Sequence, residues 1–122
     1  MARVLIADDS VLVRMRLARL VQDFGHHVIM AEDGVQAVLK YETTRPDLVF
    51  MDVAMPVKDG ITATREILYR YPDATIVAIT GLGYDDVVKE VLVAGAKHVI
   101  AKPLEDHTII EVLERFLCRQ TL

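Results

Sequence analysis

The chain has 122 residues, 52% of them hydrophobic and 26% charged, with a net charge of −4. This fits one domain burying roughly two-thirds of its unfolded surface, and the acidic balance leaves no electrostatic footprint for nucleic acid. A single cysteine, Cys118, excludes an internal disulfide and fits a reducing cytoplasm, while no apolar run is long enough for a signal-peptide core or a membrane span.

In chain order, short apolar runs alternate with segments of helical spacing. Val4–Ala7 predicts a first strand, followed by Asp8, Asp9 and Ser10. The stripe Val13, Leu17, Leu20, Val21 and Phe24 predicts a helix stopped at Gly25. Val28–Ala31 predicts a second strand, and Asp33 is the expected cap of a helix with the stripe Val35, Val38 and Leu39. Leu48–Met51 predicts a third strand that runs straight into Asp52, a carboxylate with apolar neighbours on both sides. Asp59-Gly60 then opens a helix carrying Ile61, Thr64 and Leu68 and ended by Pro72. Ile76–Ile79 predicts a fourth strand ending in Thr80-Gly81, and Val87, Val88 and Val91 a helix up to Gly95. Val99–Ala101 predicts a fifth strand before Lys102-Pro103, and Ile109, Val112, Leu113 and Phe116 the last helix.

The strands are continuous runs rich in Val and Ile, as expected when both faces are covered. Five βα units in strict alternation imply an α/β fold with a five-stranded parallel sheet, right-handed crossovers and helices on both faces. The functional crevice of such a sheet lies outside the carboxyl ends of its strands. Asp8, Asp9, Asp52, Thr80 and Lys102 all fall there.

Each of these has a modest explanation alone: Asp9 or Ser10 caps a helix for ~1 kcal/mol, Thr80 bonds backbone, and Lys102 is a solvated charge. Together they do not, because Asp8, Asp9 and Asp52 repel one another. A hard cation with oxygen ligands, such as Mg²⁺, resolves the repulsion. His26, His27, His98 and His107 lack metal-ligand spacing and read as surface or loop residues. Arg14, Arg16 and Arg19 read as lining the outer surface of the first helix.

Four motifs occur in order: VLIADDS at Val4–Ser10, MDVAMPVKDG at Met51–Gly60, IVAITG ending at Thr80-Gly81, and AKP at Ala101–Pro103. With them the chain resembles, over nearly its whole length, the receiver domains of two-component response regulators, particularly the stand-alone CheY-like kind. The resemblance implies a single receiver domain over residues 1–122 with no output domain. It also implies a flavodoxin-like (βα)5 fold with strand order 2-1-3-4-5.

By the same resemblance Asp52 matches the phosphoacceptor, and Asp9 the direct metal ligand. Asp8 matches its acidic neighbour acting through a water, and the backbone carbonyl of Ala54 a further ligand. The metal is Mg²⁺, with Mn²⁺ as an alternative. Thr80 and Lys102 match the groups that meet phosphoryl oxygens, and Pro103 follows a cis peptide bond. Gly60 fits a tight turn into the third helix and Gly81 a close backbone approach beside Thr80. At the switch position, where many relatives carry Tyr or Phe, this chain has Val99. Tyr84 is a candidate substitute, though an exposed tyrosine is the plainer reading. Ala54 and Leu82 stand where polar residues often control water access.

The expected phosphodonor is a sensor histidine kinase. The expected output is an unidentified protein target bound at the fourth helix, fifth strand and fifth helix, with no nucleic acid or membrane insertion. A cytoplasmic monomer follows, working in chemotaxis or another pathway and catalysing only its own phosphoryl uptake and slow hydrolysis. The alternatives are a phosphorelay intermediate feeding a histidine phosphotransferase, or a receiver excised from a larger protein. A haloacid-dehalogenase-like phosphatase would need an Asp-x-Asp pattern after the first strand, and a flavin carrier a Ser/Thr/Gly-rich loop there. No GxxxxGK[ST] nucleotide loop is present.

Overall fold

Strand and helix alternate throughout the computed structural model, which describes residues 1–81 and 85–117. The elements are β1 (Arg3–Ala7), α1 (Val11–Asp23), β2 (His27–Ala31), α2 (Gly34–Thr44) and β3 (Leu48–Asp52). They continue with α3 (Gly60–Arg70), β4 (Ile76–Thr80), α4 (Asp85–Val93), β5 (His98–Ala101) and α5 (Asp106–Leu117). Leu82, Tyr84 and Cys118, singled out above, lie outside the described residues. The sheet is parallel throughout, in the order β2-β1-β3-β4-β5. No helix among the described residues is long and apolar enough to cross a membrane.

Alternate residues of each strand feed opposite layers, as a period of two requires. Val4, Ile6, Leu48, Phe50, Val77 and Ile79 pack against Leu17 and Val21 of α1 and Ile109, Val112 and Leu113 of α5. Leu5, Ala7, Val49, Met51 and Ile76 face Ala37 and Tyr41 of α2 and Ala63 and Ile67 of α3. Ala78 packs with Ile61 and Val91, bringing in α4. Burying a side chain such as Phe50 contributes roughly 2–3 kcal/mol, and this two-sided burial explains the unbroken apolar runs.

Each strand is one residue longer than its apolar run predicts. Arg3, His27 and His98 extend the starts of β1, β2 and β5, and Asp52 and Thr80 the ends of β3 and β4. Ladder hydrogen bonds use backbone groups, so a polar side chain does not end a strand. His98 is therefore a half-buried strand residue and not a loop histidine.

Asp33 and Asp59 cap α2 and α3, accepting the N–H groups of Gln36 at 2.9 Å and Thr62 at 2.8 Å. Thr62 holds the Asp59 carboxyl below its usual range, although burial pulls the other way. Phe24 lies beyond α1 and is exposed, while Gly25 adopts φ +86, the left-handed stop expected of it.

The apolar face predicted for α2 holds only at Val38, which is half-buried against the core. Val35 and Leu39 are exposed, and the buried residues are Gly34, Ala37 and Tyr41. The cause is a distant contact: a Cβ on Gly34 would stand 2.2 Å from the Lys58 carbonyl oxygen. That approach sets the rotation of the helix, and the residues three and seven positions on follow it inward.

Candidate functional site

Beyond β1 the chain stays tied to the sheet, because the Asp8 N–H donates to the Ala31 carbonyl at 3.1 Å. Ser10 caps α1, its Oγ accepting the Val13 N–H at 3.3 Å. The Ser10 N–H in turn donates to Asp8 Oδ1 at 2.8 Å. The three arginines of α1 do not share one environment. Arg16 is exposed and pairs with Asp106 at 2.9 Å, and Arg19 is exposed. Arg14 is half-buried instead, and its guanidinium donates to the Asp8 carbonyl at 2.6 Å. A surface reading fails for it because its first-turn position folds the side chain back over the end of β1.

Asp52 closes β3 and is 2% exposed; Asp8 is fully buried and Thr80 is 4% exposed. The loop after Asp52 is pinned at several points. Val53 N–H donates to Ile79 O at 2.9 Å, Gly60 N–H to Val53 O at 2.8 Å, and Gly34 N–H to Lys58 O at 3.0 Å. Ala54 N–H reaches Asp52 Oδ1 at 3.3 Å.

Two glycine expectations change here. Gly60 is needed for close approach rather than for a turn: its Cβ would meet the Asp52 carbonyl oxygen at 2.0 Å, and its φ is not left-handed. Gly81 is the reverse: among the described residues nothing lies within 4 Å of an added Cβ, and its φ is not left-handed, so none of them requires a glycine there.

The Lys102 N–H bonds the Thr80 carbonyl at 2.8 Å, and the Lys102–Pro103 peptide is cis. Lys102 Nζ lies 3.3 Å from Asp8 Oδ2 and 3.5 Å from Asp52 Oδ2. Burial and the neighbouring Asp8 push the Asp52 carboxyl up to about 6, against the pull of Lys102 and the Ala54 N–H. For Lys102, burial disfavours the ammonium, but Asp52 and Asp8 outweigh it and hold the group above its ordinary value.

Oxygens of Asp8, Asp9 and Asp52 come within 4.8 Å of one another, with Asp9 on the exposed side. Asp8 Oδ2 is buried without an aligned hydrogen bond. Lys102 pairs with only two of the three carboxylates, and the donors are all hard oxygens, so the residues suit a divalent cation. Ala54 sits beside this cluster with an exposed side chain. Val99 packs half-buried in the apolar group around Ala78 and Val91.

Among the histidines, His27 and His107 are exposed, whereas His26 is half-buried and accepts the Ala2 N–H at 3.0 Å. Lys58 is not singled out by the sequence, and Arg14 reads there only as a surface residue of the first helix. The only signal for Arg14 was its place four residues after the capping serine.

The family of the response regulator receiver domain matches residues 4–114. Protein CcdB of Bacillus subtilis is 38% identical over 119 residues, covering 96% of this chain and 98% of that protein. The chemotaxis protein CheY of the same organism is 39% identical over 116 residues, covering 94% and 97%. Among solved structures, the complex of CheX, CheY, BeF3 and Mg²⁺ from Borrelia burgdorferi superposes with a TM-score of 0.89 at 36% identity. It covers 94% of this chain and 89% of the matched one.

Proposed function

The chain belongs to the response regulator receiver domain family as a CheY-like phosphoacceptor, and on that premise we propose that Asp52 takes the phosphoryl group. The observation that carries this is its setting: an acid 2% exposed, pushed up to about 6, with a single ammonium 3.5 Å away. A carboxylate oxygen of Asp52 attacks phosphorus, and the donor's bond to phosphorus breaks with its electron pair leaving on the donor. The pinned loop and the buried strand hold the nucleophile rigid and keep water from it.

Mg²⁺ is the proposed metal, which Asp9 would hold directly, Asp8 through a water, and Asp52 and the Ala54 carbonyl as further ligands. The Borrelia CheY complex, which contains Mg²⁺ and BeF3, supports that choice. When bound, the cation neutralises charge on the acids and on the incoming phosphoryl group. Lys102 pairs with one phosphoryl oxygen and the Thr80 hydroxyl donates to another. Transfer adds a charge of roughly −1.5 to −2, large against a local balance near zero.

The phosphodonor is a sensor histidine kinase, and the chain catalyses only its own phosphoryl uptake and slow hydrolysis. Chemotaxis is the pathway favoured by the CheY relatives. Output runs through the face of α4, β5 and α5, where Leu92 and Val93 are exposed. With Val99 unable to swing a ring, Thr80 passes its movement by backbone shift into the start of α4. Thr80→Ala should therefore accept phosphate yet lose most of the response to beryllofluoride in amide exchange.

The decisive experiment is incubation with acetyl phosphate and Mg²⁺ followed by intact-mass measurement. The wild type should gain one phosphoryl group and Asp52→Asn none. Equal uptake by the variant would overturn the assignment.

A further inference from the structure

Asp8 and Asp9 are neighbours held in very different ways. Asp8 is fixed through its N–H to Ala31, its Oδ1 to Ser10 and its Oδ2 facing Lys102. Asp9 is exposed, and its side chain takes no hydrogen bond or ion pair among the described residues. What the fold fixes for Asp9 is therefore the backbone that carries it, which sets where its carboxylate can reach. The peptide joining the two is a rigid plane in which the Asp8 carbonyl and the Asp9 N–H move together. Arg14 donates to that carbonyl at 2.6 Å from a half-buried position. A charge-assisted bond of this length is among the stronger single restraints available to a backbone group.

We propose that Arg14 is a positioning residue, locking the Asp8–Asp9 peptide so that the Asp9 carboxylate is aimed at the cation site. The inference rests on the reading of Asp9 as a metal ligand. Two effects of Arg14 oppose each other. Its charge disfavours a nearby cation, whereas its bond pre-arranges the ligand that meets it. The positional effect dominates, because the guanidinium engages the backbone and does not pair with any of the three carboxylates.

The test is Mg²⁺ titration followed by amide NMR shifts at constant ionic strength, with no phosphodonor present. Arg14→Met should weaken Mg²⁺ binding on the order of 10-fold, as expected when a group behind a metal ligand is lost. Arg14→Lys, which keeps a donor and a charge, should recover most of it. Arg16→Met, which breaks an exposed pair on the same helix, should leave the affinity unchanged. In metal-free protein the Asp9 and Ser10 amides should exchange faster in Arg14→Met than in wild type. Unchanged or tighter Mg²⁺ binding in Arg14→Met would overturn the proposal, as would failure of Arg14→Lys to recover. A wild type that binds no Mg²⁺ would instead sink the ligand reading of Asp9. The exchange rates alone would then decide whether Arg14 locks the peptide.

Discussion

At the amino edge of the sheet, the exposed Asp47 accepts the Arg3 N–H at 2.9 Å while its own N–H donates to the Arg3 carbonyl at 2.8 Å. At the carboxyl edge, the buried Asp8 and Asp52 instead face each other across one ammonium. The first acid closes the chain onto itself; the second pair is left short of positive charge. A cleft of about 270 Å³ opens at the amino edge, lined by Met1, His26, Asp47 and Phe116 among others. Cavity size therefore does not mark the site. Undercompensated buried charge does.

Glycine substitutions should separate the edges most widely. Gly60→Ala drives a Cβ to 2.0 Å from the Asp52 carbonyl and should cost about 3 kcal/mol or prevent folding. Gly25→Ala meets open space and suffers only from φ +86, so urea melts should show a loss of about 1 kcal/mol. Comparable losses would mean that the carboxyl edge can relax.

The acids should differ in sign. Asp52→Asn removes a repelling charge and should stabilise the metal-free protein by roughly 2–3 kcal/mol at pH 7, whereas Asp47→Ala should destabilise it by about 1 kcal/mol. The Asp52 carboxyl is raised from 3.8 to about 6, so folding favours its protonated form. That stability is full below about pH 4 and is lost as pH rises through 6. Thermal melts without Mg²⁺ should fall across this window in wild type and stay flatter in Asp52→Asn. Adding Mg²⁺ should restore the wild type at pH 7.

A smaller effect tests the loop beside Asp52. Val57 has φ +68 at the centre of a turn closed by Lys58 N–H to Pro56 O at 2.7 Å, and it is 81% exposed. No packing rewards a β-branched residue in this region of φ. Val57→Gly should therefore raise stability by roughly 0.5–1 kcal/mol, after allowing for the entropy glycine adds to the unfolded chain. A loss in the melts would mean that the valine side chain contributes something its exposure hides.

The slightest effect belongs to the amino edge. Burial, with the N-terminal ammonium, lowers the His26 pKa against the pull of Asp47. Its contribution to stability is present above about 6.5 and fades as pH falls through its lowered value. This slope is opposite to that of Asp52, and His26→Gln should remove it from the melting profile.

The sequence by itself determined what depends on neighbours within a turn or a strand. The apolar runs, the caps at Asp33 and Asp59 and the stop at Gly25 are local, and each is present. Strict βα alternation then carried Asp8, Asp9, Asp52, Thr80 and Lys102 to one edge, because parallel strands place their carboxyl ends together. Only the tertiary structure decided which face of α2 is buried, since that follows from Gly34 lying against Lys58. It also decided that Gly60 serves a close approach to the Asp52 carbonyl, and that Arg14 turns back to the Asp8 carbonyl. The Asp52 pKa belongs with these, because its burial and its charged neighbours come from β1, β3 and the end of β5. Periodicity and capping act over a few residues, whereas steric approach and charge coupling depend on distances between segments that no local pattern encodes.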